Sequence, residues 1–201
     1  MSDILAGHFF RNRYDKHGRS VKSLGWGSRE SQRSRFGVLL REDIVSMGSL
    51  LDVGCGFADL NEYLSESGAC LEYAGVEKEE AFLSVCQSRY PESDMYSTIW
   101  DVEKSYDLVY ASGIFCFETD GWEESTALVL KKLFDISKIA VVVNFLYSQA
   151  PRDENEEMHF TNLKEIGNIL EQFPDTALYN IYHDYKSNDI TLSIYKKKNS
   201  E

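Results

Sequence analysis

From residue 48 onward, short apolar runs alternate with stretches whose apolar residues recur every three or four positions. The first kind reads as strand and the second as the buried face of a helix. A strand over 49–54 leads into a helical stripe of Leu60, Tyr63 and Leu64 that stops at Gly68, and 71–77 is a second strand. Phe82, Val85, Cys86 and Arg89 fit the inner face of the next helix, which Pro91 ends. Residues 94–100 read as a third strand with Asp101 at its end, and 106–112 as a fourth. Asp120 and Glu123 suit a capping box for a helix carrying Leu128, Leu130, Leu133 and Phe134. Strand five covers 139–145. Thr161 or Asn162 then caps a helix with Ile166, Ile169, Leu170 and Phe173, closed by Pro174. The segments 177–184 and 190–196 form an antiparallel hairpin around Tyr185-Lys186-Ser187-Asn188-Asp189. This order predicts an α/β fold: a doubly wound seven-stranded sheet, mostly parallel, with an antiparallel C-terminal hairpin and helices on both faces.

Ahead of this core, Phe36, Leu39, Leu40, Ile44 and Met47 mark one helix face, and one turn back the same face carries Gln32 and Arg35. Polar groups that face inward need partners. A ligand's carboxylate, hydroxyl or phosphate would serve, and so would a backbone carbonyl or an acid of the body. Charge changes the picture of this segment. The chain of 201 residues carries a net charge of −12, yet residues 1–36 carry +5 and the remainder −17. A basic arm precedes an acidic body, so attraction holds the arm to the body or prepares it for an anion. The acidic balance speaks against general affinity for nucleic acid, which draws on basic patches.

The length and the 43% hydrophobic content suit one domain over 1–201, with an arm and helix over 1–47 acting as a lid and a core over 48–196. No apolar stretch is long enough to span a bilayer, and the N-terminus has no long apolar segment with a cleavage site, so a cytoplasmic, membrane-free protein is expected. Cys55, Cys70, Cys86 and Cys116 show no C-x-x-C pairing, so neither a disulfide framework nor a metal site is expected. The loop 147–160, with Pro151 and the acidic run 153–157, is the expected mobile region.

The chemistry is concentrated where the first strand meets Gly54-Cys55-Gly56. Glycines there let the backbone turn sharply and approach a ligand closely, and the next helix points free N–H groups at it. In the dinucleotide fingerprint G-x-G-x-x-G that turn holds pyrophosphate, but here Phe57-Ala58-Asp59 follows. A carboxylate repels pyrophosphate. Asp52 and Asp59 suit a ligand with positive charge, and the block 50–60 resembles the first motif of the class I S-adenosyl-methionine (SAM)-dependent methyltransferases. With the strand count over about 48–196, the resemblance implies a Rossmann-like core and SAM as cofactor.

Ligands of such sheets collect beyond the carboxyl ends of the strands. Glu77 ends the second strand, where an acid accepts ribose hydroxyls. The resemblance implies that Asp101, with Val102 beside it, meets the adenine, and that Ser112 closes the strand at which the methyl group is transferred. The run 112–117 departs from the Asn/Asp-Pro-Pro-Tyr/Phe motif of enzymes that methylate base amino groups. Phe115, Phe117 and Trp122 offer an apolar wall for an acceptor, or ordinary core packing. Trp26, Gln32 and Arg35 are candidates for a cover over the cofactor. His159 and His183 are candidate bases because histidine titrates near neutrality, with Tyr147, Asp184 and Tyr185 on the same rim.

The expected function is methyl transfer from SAM to a small-molecule acceptor, one with an anionic group among the options, by direct in-line displacement. A protein or peptide methyltransferase, a catalytically silent SAM-binding scaffold and an NAD-binding oxidoreductase are the alternatives. Asp59 counts against the last.

Overall fold

The computed structural model describes residues 2–41, 48–148, 157–173 and 177–197. Ile44, Met47, Pro151, the acidic run up to Glu156 and Pro174 lie outside the described residues. Seven strands form one sheet in the order β3-β2-β1-β4-β5-β7-β6. They are β1 (Ser49–Val53), β2 (Glu72–Val76), β3 (Met95–Tyr96), β4 (Tyr106–Ser112), β5 (Ser137–Leu146), β6 (Ala177–Tyr182) and β7 (Asp189–Lys196). The first five run parallel, and β7 is antiparallel to both β5 and β6. The helices are α1 (Ser2–His17), α2 (Arg29–Leu39), α3 (Asp59–Glu66), α4 (Glu80–Arg89), α5 (Trp122–Asp135) and α6 (Leu163–Leu170).

All five residues of β1 are buried, as a strand covered on both faces requires. Its neighbours Leu50 and Leu51 point to opposite sides because strand side chains alternate. Leu51 joins Val109, Val141 and Val143 beneath Leu130 and Leu133 of α5 and Ile166 and Ile169 of α6. Leu50 joins Leu108 and Val142 beneath Phe36 and Leu39 of α2 and Leu60 and Leu64 of α3. The chain passes from β1 outward to β2 and β3, then returns to place β4 on the other side of β1. That reversal lies at the carboxyl ends of β1 and β4, where ligands of open α/β sheets generally bind.

Several local expectations are corrected. The third strand is only two residues long, because 99–101 turns into a 3₁₀ helix capped by the Thr98 hydroxyl; Asp101 lies on that turn, exposed. Asp120 and Glu123 form no capping box: Gly121, at φ 69°, precedes α5 with no side-chain cap. The capping box that does form is at α6, between Asn162 and Glu165. Leu128 and Leu40 face solvent, at 59% and 39% exposure, so each lies off its helix's buried stripe.

Helix α1 was not foreseen. Its apolar contacts are aromatic: Phe10 and Tyr14 meet Phe82 of α4 edge-on, and Phe9 and Phe10 meet Phe117 beyond β4. The basic arm is held by the acidic body through Arg11–Glu79, Arg29–Glu62, Arg33–Glu66 and Arg35–Asp189. Among the described residues no helix is long and apolar enough to cross a membrane.

Candidate functional site

The run 51–58 is buried except at Gly54, which is exposed at the carboxyl end of β1 and closely approached by the Ile114 side chain. Gly54 and Gly56 take φ of 74° and 60°, a region open to glycine at little cost. Ala58 takes the same left-handed geometry, at φ 59°, and α3 starts directly after it. Gly54 and Cys55 both donate backbone N–H groups to the carbonyl of Val76, which ties the turn to the end of β2. The Cys55 side chain points into the core, its Sγ 3.9 Å from Cys86 Sγ, and the hydrogen bond with that thiol, followed by burial, pushes its pKa up. Cys55 therefore contributes backbone to the turn rather than a thiol. The four cysteines are free.

Three acids surround this turn. Glu77, at the end of β2, accepts the N–H groups of Gly56 and Glu79, each at 2.8 Å, through different carboxylate oxygens. Asp52 sits on β1 and accepts the Tyr73 hydroxyl at 2.8 Å. Burial pushes the pKa of each up to about 7, against the lowering effect of these hydrogen bonds. Asp59 is the exception to the expected role, because Arg89 binds its Oδ1 at 3.1 Å and the Gln32 amide donates to its Oδ2 at 3.3 Å. Directly opposite Asp52 on β4, Tyr110 is buried.

The segment before α2 covers this end of the sheet. Leu24 packs so closely on Gly56 that a Cβ there would lie 2.8 Å from Leu24 Cδ2. Trp26 does the same at Gly113, the residue after Ser112, with 3.0 Å to its Cη2. On the indole lies the Arg35 guanidinium, 4.4 Å from the ring centroid. Arg35 is bonded through Nε and Nη2 to the two oxygens of Asp189, at 2.9 and 2.7 Å. The inward polar groups of α2, Gln32 and Arg35, therefore find acids of the body. Ser112 Oγ donates to Asn144 Oδ1 at 3.3 Å, beside the Trp26 contact.

The remaining candidates lie elsewhere. Val102 is in the core. Phe115 stacks on Phe145, and Trp122 is buried with its Nε1 donating to the Phe115 carbonyl, so both are core packing. Phe117 is half-buried against α1. His159 is buried, stacked on Trp122 with centroids 3.6 Å apart, and its ring nitrogens face Glu118 at 2.8 Å and Glu165 at 3.2 Å. It joins the loop beyond β4 to the cap of α6. His183 is exposed past the end of β6, and neighbouring Asp184 pairs with Arg41 at 2.6 Å. Tyr185 is half-buried and accepts from Asn144 Nδ2 at 2.8 Å, while Tyr147 is half-buried at the end of β5. The two histidines therefore do not join the acids at the glycine turn. Asp189, Asn144 and Tyr73 were missed; nothing in their local spacing sets them apart, since each acts through a partner distant in sequence.

No family model matches the chain, and no curated protein matches it in sequence. Its fold is shared with solved structures. DhpI in complex with S-adenosyl-homocysteine (SAH) aligns with a TM-score of 0.67 at 9% identity, covering 94% of each chain. The plantazolicin methyltransferase BpumL, with a monoazolic desmethylPZN analog and SAH, gives 0.61 at 15% identity over 98% of this chain and 92% of that one. Magnesium protoporphyrin IX methyltransferase from Synechocystis PCC 6803, with bound SAH, gives 0.63 at 12% identity, over 84% and 83%. The chain has the Rossmann-like fold of these methyltransferases.

Proposed function

We propose that this protein is a SAM-dependent methyltransferase acting on a small-molecule acceptor by direct in-line transfer. The observation that carries the reading is the exposed Gly54 turn, with the buried Asp52 two residues before it and the buried Glu77 bonded to Gly56. A site flanked by two acids suits a cation and disfavours the pyrophosphate of a dinucleotide. Glu77 fits the ribose as a strand-end carboxylate held in place by backbone N–H groups of Glu79, Gly56 and Lys78. Asp52 would face the ammonium group, and the Gly54–Gly56 backbone would lie along the methionine portion. Asp101 and Ser112 are proposed for the adenine and methyl ends, and Trp26, Gln32 and Arg35 for the cover, with 1–47 as the lid. SAM supplies a methyl group already bonded to a good leaving group, its sulfonium.

What remains for the chain is to orient the reactants and to exclude water. Leu24, Trp26 and the α1 aromatics are placed to exclude water. His159, held between two carboxylates, serves in this reading as a structural clamp, which leaves His183 as the candidate base. Because Arg35 is already neutralised by Asp189, the geometry favours an uncharged acceptor over the anionic option. A crystal structure with SAH tests the assignment. Density for ribose on Glu77 and for the amino-acid portion over Gly54 is expected, and SAH bound away from the Gly54 turn would refute it.

A further inference from the structure

We infer that Asp189 is a positioning residue of this site: acting through Arg35, it holds the Trp26 indole over the end of β4. The inference rests on the methyltransferase reading, and it adds a residue that neither touches the glycine turn nor sits near it in sequence.

A closed circuit of contacts supports it. Trp26 lies against Gly113, the residue after Ser112. Ser112 donates to Asn144 on β5, its lateral neighbour in the sheet. Asn144 Nδ2 lies 3.2 Å from Asp189 Oδ1 and 2.8 Å from the Tyr185 hydroxyl. Asp189 grips Arg35 by two parallel hydrogen bonds, and Arg35 lies on the Trp26 ring. The circuit thus starts and finishes at the β4 end, passing through β5, β7 and α2.

Burial makes the arrangement specific. Asp189 is fully buried and the Arg35 side chain is 4% exposed, so neither charge can turn to water. A two-pronged guanidinium–carboxylate pair fixes the plane of the guanidinium, and with it the plane on which an indole can stack. Arg35 Nη1 is also held, by the Ser31 carbonyl at 2.6 Å and the Ser31 hydroxyl at 3.1 Å. A single-point ion pair would leave the ring free to swing. Simple stability does not require this design, because a buried ion pair is often no more stabilising than apolar residues of similar volume.

The test is a double-mutant cycle on SAH affinity, with indole fluorescence as a second readout. A Trp100→Phe background removes the most exposed indole, which leaves Trp26 and the buried Trp122. Asp189→Asn leaves Arg35 buried without its counter-charge and so risks unfolding. The double variant Arg35→Gln/Asp189→Asn removes both charges together and serves as the second arm. Each should shift Trp26 emission to the red without ligand and weaken SAH binding about tenfold. Trp26→Ala should weaken SAH to a similar degree, and adding the neutralised pair to it should cost nothing further. Unchanged emission, or effects of Trp26→Ala and the neutralised pair that simply add, would overturn the positioning role while leaving the methyltransferase reading intact. A folded wild-type protein that does not bind SAH would overturn both.

Discussion

The Tyr73 hydroxyl donates to Asp52 Oδ2 at 2.8 Å from the strand beside it, and it is the one hydrogen bond that this buried carboxylate makes among the described residues. One neutral donor is little compensation for removing a charge from water. Burial accordingly holds the pKa of Asp52 at about 7, as it does that of Glu77. Between about pH 4 and about pH 7 the folded protein keeps protons on these acids that the unfolded chain has released. Their contribution to stability is therefore fullest at the acidic end, falls as pH rises through that window and levels off above it. Asp52→Asn should flatten part of this slope and raise Tm at pH 8, while weakening SAM binding. A Tm at pH 8 below that of the wild type would contradict this account of Asp52. SAM affinity of the wild type should also rise from about pH 6 to about pH 8 as the acids ionise.

Glu77→Ala removes the acceptor of the Gly56 and Glu79 N–H groups and the proposed ribose ligand together. Charge-assisted hydrogen bonds of this kind are worth roughly 1.5–3 kcal/mol, so SAH affinity should fall about tenfold or more. Circular dichroism should show the fold retained. Unaltered affinity in the folded variant would place Glu77 outside the site.

His159 provides the contrast. Its contacts with Glu118, Glu165 and Trp122 hold loop to helix rather than reaching the glycine turn. His159→Gln should lose about 1–3 kcal/mol of stability in urea titrations, with SAH affinity within about twofold of wild type. A stable variant with impaired cofactor binding would return His159 to the site.

Deletion of residues 1–17 removes the partners of Phe57, Phe82 and Phe117. Exposed aromatic surface of that size favours association. The truncated protein should bind a hydrophobic dye and lose several degrees of Tm. A truncation with the wild-type Tm and no dye binding would make α1 a passive extension.

Much of this fold is legible in the sequence because a parallel core writes itself locally. Runs such as Leu50–Val53 and Ile139–Phe145 are apolar on both faces, and glycines and acids punctuate them. Asn162, one of the two expected caps, caps α6 and adds a capping box with Glu165. What escaped depends on distant partners. Helix α1 carries polar residues between Phe9, Phe10 and Tyr14, so its buried face emerges only once Phe82 and Phe117 are in place. The third strand shortens because Thr98 caps a turn where alternation alone reads as continued strand. At the site, Gly54, Gly56 and Glu77 stand out by spacing. Gln32 and Arg35 stand out by helical phase, but their phase could not tell Asp59 and Asp189 from a ligand. The acceptor leaves no such mark, since it is chosen by side chains that converge from separate elements.

The central claim is that an acid-flanked glycine turn selects SAM over dinucleotides, and calorimetric titration of the full chain with SAM, SAH, NAD and FAD tests it most directly. Measurable binding of SAM and SAH, with none for NAD or FAD, is the predicted result; binding of NAD without SAM or SAH would contradict the account.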